Sequence, residues 1–190
     1  MNSFELTLRL VEAGLQCVSA LCAPLIAAVA VVVSVLALMS ERSAARVATR
    51  TQTLLNLLDA GNGEDMVASR SAAAAALLRG DYRSSDVARV MNYFSTVATL
   101  VDTRALDRGL AFDQFSWWII RYWLAVKPSI AARRVIDPSL WQTLEKVADL
   151  MRATELRKGA NANAYDTAAI RQFLSSEAAI ARQGTRRRPK

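Results

Sequence analysis

Hydrophobic and polar positions divide the chain into one long uncharged stretch and a series of amphipathic ones. No charged residue occurs from Ala13 to Ser40. Read as a helix, the 22 residues from Val18 to Met39 reach about 33 Å, enough for a bilayer hydrocarbon core of about 30 Å. The stretch therefore predicts a single transmembrane helix. Pro24 either kinks that helix or starts it at its first turn. Ahead of it, Phe4, Leu8, Val11, Leu15 and Val18 recur at helical spacing and predict an amphipathic lead-in. Beyond Ser40 the apolar residues return every three or four positions, and strand-like alternation is missing. The expected fold is all-α: a lead-in and transmembrane helix over 1–40, a small helical bundle over 41–183 and a disordered basic tail over 184–190.

The bundle reads helix by helix. Leu54, Leu55, Leu57 and Leu58 continue the spanning helix as far as Ala60-Gly-Asn-Gly63, a turn cluster. A helix from Glu64 to Leu78 contains the alanine run 72–76 and stops at Gly80. The next, from Asp86 to Asp102, places Val87, Val90, Met91, Phe94, Val97, Ala98 and Val101 on one face. Residues 104–109 connect it to a helix from Phe112 to Val126, which Lys127-Pro128 should end. Asp137-Pro138 should open a helix running to Lys158, and Asp166 should cap a last one through Ala181.

The helix from Phe112 to Val126 is apolar on nearly all sides and is read as the centre of the core. Phe112, Phe115, Trp118, Ile119, Tyr122, Trp123 and Val126 form its larger side. Trp118, Trp123 and Trp141 are expected to be shielded from water. Trp117, Ile120 and Leu124 lie on the other side and are read as a self-association or partner surface, because aromatic side chains anchor interfaces.

Charge adds an orientation. The chain carries 24 Lys and Arg against 17 Asp and Glu, a net charge of +7. Only Arg9 precedes the span as a cation, whereas Arg42, Arg46 and Arg50 follow it. The positive-inside rule then places the C-terminal body in the cytoplasm of a cell with an inner membrane. Those three arginines share one helix face and are read as contacts to anionic headgroups. A cleaved signal peptide fits less well, since Glu5 and Glu12 precede an overlong apolar run without a good cleavage site. Within the span, Ser19, Ala23 and Ala27 recur every four residues and form a small-residue face on which two such helices could pack. Cys17 and Cys22 fall in or near the bilayer and read as apolar filler.

Composition excludes much chemistry. Histidine is absent and there are only two cysteines, which removes His-based catalytic systems, His-ligated metals and a Cys₄ zinc site. Asp102, Asp107 and Asp113 flank the central helix, where two could form an acid/base pair; Asp102 and Asp107 read more simply as solvated helix-end and loop charges. No catalytic, cofactor-binding or metal-binding residue is assigned. The basic clusters Arg133-Arg134 and Arg186-Arg-Arg188 lack interleaved aromatics, so nucleic acid is a disfavoured partner.

Asn92-Tyr-Phe94, Trp117-Trp118, Arg121-Tyr-Trp123, Lys127-Pro128 and Trp141 follow one another in an order that resembles a bacterial family of unknown function. Its members are short proteins with an N-terminal transmembrane helix and a cytoplasmic all-helical domain, and the resemblance covers residues 40–155. It implies the architecture and brings no catalytic residues. The expected function is a single-pass, membrane-anchored interaction or scaffold module without catalytic activity. Its expected partners are the lipid bilayer, a second copy of the chain or a co-encoded protein. A membrane-perturbing effector of a toxin or phage-defence type is the alternative, followed by a membrane-tethered nucleic-acid-binding protein.

Overall fold

A computed structural model describes residues 34–42, 45 and 48–186. The chain falls into two compact units, Met1–Thr49 and Arg50–Lys190. Most of the stretch read as membrane-spanning, with Ser19, Ala23, Ala27, Cys17, Cys22 and Pro24, lies outside the described residues, as does Arg46. In the first unit residues 34–42 are helical and every one is exposed. Among the described residues no helix is long and apolar enough to cross a membrane.

The second unit is all-helical, with no strand among its described residues. Its elements are α1 (residues 50–62), α2 (Glu64–Leu78), α3 (Ser85–Asp102), α4 (Arg108–Arg134), α5 (Gln142–Arg157), a short 3₁₀ turn (Ala162–Tyr165) and α6 (Thr167–Arg186). The expected turn at residues 60–63 is mostly helical. The Gly63 N–H still bonds the Asp59 carbonyl, and the Gly63 carbonyl already accepts from Met66 and Val67. One residue therefore suffices to break α1 from α2.

Helix α1 is fixed to the body by Leu54, which is buried, and by the Tyr93 hydroxyl, which donates to the Leu57 carbonyl at 2.7 Å. Gly61 is required there: a Cβ would stand 2.4 Å from that hydroxyl. Helix α2 packs most extensively on α6, and its small residues are the reason. Ala73 and Ala74 are fully buried, and the Ser71 hydroxyl bonds the Ala178 carbonyl at 3.1 Å. Helix α2 ends where the sequence predicts. Gly80 adopts φ 77°, the Asp81 N–H reaches back to Ala76 and the Gly80 N–H to Leu77, which satisfies two terminal carbonyls. All seven apolar positions expected on α3 are buried, and Ser84 caps that helix.

Two expected boundaries move. Pro128 does not end α4, which continues to Arg134. An interior proline costs roughly 3 kcal/mol in a helix. Here its ring is exposed, while Val126 and Ile130 on either side of it are in the core; their packing holds the helix together across the gap. The second shift concerns Asp137 and Pro138, which form a turn rather than a helix start. The Asp137 carboxylate accepts from both the Ser139 N–H (3.0 Å) and its hydroxyl (2.7 Å), a local bond that competes with helix geometry. Helix α5 starts at Gln142, after Trp141 in a left-handed conformation with φ 53°. Such a backbone costs about 1–3 kcal/mol for a bulky residue. The Trp141 indole enforces it, being 5% exposed and donating to Asn92 Oδ1 at 2.9 Å. At the other end Asp166 caps α6 through the Ala169 N–H. The helix then runs to Arg186, so residues 184–186 are helical rather than part of a disordered tail.

The core gathers around α4. Ile119, Ile120, Tyr122, Trp123 and Val126 are each at most 1% exposed. Trp118 was expected with them but is half-buried, under the Arg70 guanidinium at 5.0 Å from its ring. Replacing Trp123 by Ala should cost about 3–5 kcal/mol in urea unfolding, as for a buried aromatic. Trp118→Ala should cost clearly less. Equal losses would contradict the placement of Trp118 at the core edge.

Candidate functional site

Helix α4 meets two clusters of polar groups and one side of an open face. The first cluster joins α2, α4 and α6. Arg70 Nε lies 3.5 Å from Glu177 Oε2, with both side chains 9% exposed. The Tyr122 hydroxyl sits between the two helices, 3.0 Å from the Arg70 carbonyl and 3.4 Å from Glu177 Oε2. Burial, first, and the Glu177 charge, second, push the Tyr122 phenol far up. It stays a neutral donor, as the bond to a carboxylate needs. The Ser69 hydroxyl on the neighbouring turn accepts from Arg89 at 3.2 Å.

The second cluster joins α4, α5 and the 3₁₀ turn. Glu155 accepts from both the Ser116 and the Tyr165 hydroxyls. Burial and the Glu155 bond raise Tyr165 to about 12. Arg121 is only 5% exposed; burial lowers its pKa, while Tyr165 and Glu155 act to raise it. Its guanidinium lies over Trp117 at 3.3 Å and donates to the Trp117 carbonyl. Both clusters hold helices together, the first through the Arg70–Glu177 ion pair and the Tyr122 hydroxyl, the second through Glu155. Among the described residues no group of three His, Cys, Asp or Glu side chains is placed to hold a metal.

The open face lies at the C-terminal end of α2 and α4. Two grooves of about 720 and 400 Å³ meet there and share Gly80 and Tyr82. Arg83, Arg133 and Ile136 line the first; Leu77, Leu124 and Arg171 line the second.

Residues 24–151 match the family described as Domain of unknown function (DUF4760). The chain belongs to this family. No curated protein and no solved structure matches the chain. The DUF4760 stretch begins at Pro24, inside the uncharged run, and so reaches further toward the N-terminus than the resemblance over residues 40–155. It ends within α5 and leaves out Tyr165 and Glu177. The aromatic order that carries the resemblance falls inside it and forms physical links: Asn92 with Trp141, Tyr93 with α1, and Phe94 with Tyr122 at 5.6 Å between ring centres.

The structure disperses the surface read from Trp117, Ile120 and Leu124. Trp117 is 54% exposed, Ile120 is 1% exposed and Leu124 is half-buried along the second groove. Ile120 cannot serve a partner, because the helical body closes over its side of α4. Arg42 and Arg50 are exposed. Asp107 caps α4 through the Leu110 N–H, while Asp102 pairs with Lys146 at 2.6 Å and Asp113 with Lys158 at 4.0 Å. Within Arg133-Arg134, Arg133 donates to the Tyr82 carbonyl and stacks on Trp141 at 4.6 Å, and Arg134 pairs with Glu145 at 2.6 Å.

Sequence reasoning missed Arg70 and Glu177, although a signal was present. Arg70 precedes Ala73, Ala74 and Leu77 at helical spacing, and Glu177 follows Ile170, Phe173 and Leu174 in the same way. A charge on an otherwise apolar stripe calls for a buried partner.

Tyr93 is also raised by burial to about 12. For Tyr93 and Tyr165 the folded pKa lies above the ordinary value of 10.0. The unfolded chain therefore loses these protons first as pH rises, and their contribution is complete below about pH 10. Stability should fall between about pH 10 and 12. Tyr93→Phe should flatten that fall, measured by urea unfolding at a series of alkaline pH values. A slope identical to that of the parent would contradict the burial of the Tyr93 phenol.

Proposed function

We propose that this protein is a single-pass, membrane-anchored helical interaction module, with its body in the cytoplasm. The observation that carries the reading is the helix over residues 34–42. Val35, Leu36, Leu38 and Met39 are 47–63% exposed on it, directly continuing the uncharged run from Ala13. Four large apolar side chains exposed within five positions are costly in water and ordinary in lipid. The helix length available from Val18 to Met39 suits a bilayer, and the family match includes this run from Pro24 onward.

Arg42 and Arg50, exposed just beyond the run, support the inside orientation and headgroup contact. Arg46 belongs to the same expected stripe. The body offers groups engaged with one another rather than a free nucleophile beside a base. Its business in this reading is contact, with the bilayer, a second copy or a co-encoded protein. Self-association through Ser19, Ala23 and Ala27 is part of the proposal.

Membrane fractionation of the full chain tests the anchor. The protein should stay in the pellet through an alkaline carbonate wash, and a reporter fused after Lys190 should be active only in the cytoplasm. Release by carbonate would remove the anchor, and an active periplasmic reporter would reverse the orientation.

A further inference from the structure

Three large apolar side chains stand in water around the two grooves that meet at Gly80 and Tyr82. Leu78, at the end of α2, is 42% exposed. Val135 and Ile136, in the turn after α4, are 84% and 88% exposed, the highest values for large apolar side chains among the described residues. Ile136 lines the larger groove together with Arg83 and Arg133. Arg171 lines the smaller one, and Arg79 adjoins Gly80, which lines both. Other exposed apolar side chains of this unit, such as Leu55, Leu110 and Ile180, belong to separate helices.

The charges on this face favour an anionic partner. Three arginines, Arg83, Arg133 and Arg171, line the grooves against two carboxylates, Asp81 and Asp137, and just outside the lining Arg79 adjoins Gly80 while Asp166 adjoins Thr167. Asp81 and Asp137 are exposed and hold local bonds: Asp81 accepts from the Arg83 N–H at 3.2 Å, and Asp137 accepts from the Ser139 N–H and hydroxyl. Glu145, nearby on α5, is matched by Arg134 at 2.6 Å and Lys127 at 3.9 Å.

We propose that this end of the bundle docks on an anionic lipid surface, with Val135 and Ile136 entering the headgroup region and the arginines meeting phosphates. Aliphatic side chains on a turn, ringed by arginine, suit a fluid interface. A protein partner would more often be met by aromatic side chains set in a packed pocket. The proposal rests on the membrane-anchored reading in one respect: a tether raises the local concentration of the body at the bilayer, so a weak surface contact suffices.

The test uses the full chain in nanodiscs, with Cys17→Ser and Cys22→Ser as background. An environment-sensitive dye is placed at Ile136→Cys or, as control, at Gln114→Cys, an exposed position on α4 roughly 30 Å from its end by helical rise. Discs contain phosphatidylcholine alone or mixed with phosphatidylglycerol. The Ile136 dye should shift to the blue and be quenched by brominated lipid in anionic discs, while the Gln114 dye stays in water. Arg79→Gln with Arg83→Gln should reverse the shift, at about fivefold in apparent affinity per cation removed. These arginines are exposed, so the core is untouched. An Ile136 dye that stays in water in anionic discs overturns the proposal. So does a shift that is equal in neutral discs and grows with protein concentration, which would assign the face to a second copy. Failure of the anchor reads differently: the chain then leaves the disc in carbonate. In that case flotation of the full chain with anionic vesicles at low salt, lost in Ile136→Ser, sustains the docking surface, and absence of flotation ends it.

Discussion

Over the turn from Ile119 to Trp123 helix α4 has no face that can be left to water, and the rest of the body follows from that constraint. Ile119, Ile120, Arg121, Tyr122 and Trp123 are five successive residues that together face every direction around the axis, and all are buried. One layer of neighbours cannot cover such a helix. Helix α3 and helix α5 pack on it and on each other, and α2 and α6 close the remaining side. The small residues of α2 let α6 approach closely. The charges that come to lie within the closed side, Arg70 and Glu177, are admitted because they meet each other, with Trp118 under the guanidinium and the Tyr122 hydroxyl donating to the carboxylate.

Much of this was legible in the chain. The α3 stripe, the alanine-rich α2, the Gly80 stop and the Asp166 cap each rest on local chemistry, and local chemistry decides where it has no rival. The errors arose where tertiary packing outweighed a local preference. Pro128 resists a helix, but the core residues Val126 and Ile130 carry α4 across it. Asp137-Pro138 resembles a helix start, but the Ser139 bonds hold it as a turn and Trp141 sets the entry angle of α5. Ile120 was placed on an outer face because a helical wheel shows which residues share a side and not how many sides a fold will cover. The cluster of Ser116, Glu155 and Tyr165 was illegible for another reason: its members come from three elements and none carries a local signal.

The same packing shapes the functional reading. Several cations of the body have internal work: Arg70 on Glu177 and Trp118, Arg121 on Trp117, Arg134 on Glu145. Arg70 and Arg121, both buried, are therefore not offered to a polyanion. The positive charge still facing outward, together with the exposed apolar residues of the 34–42 helix and of the α4–α5 turn, is of the kind a bilayer receives.

Native-state hydrogen exchange tests the central claim, that α4 is enclosed and the fold closes around it. The account predicts that amides from Ile119 to Val126 exchange only through global unfolding, with the same free energy as urea unfolding. It also predicts that protection resumes at Ile130, beyond Pro128. Exchange of the α4 centre through local opening, at a free energy well below the global value, would contradict it.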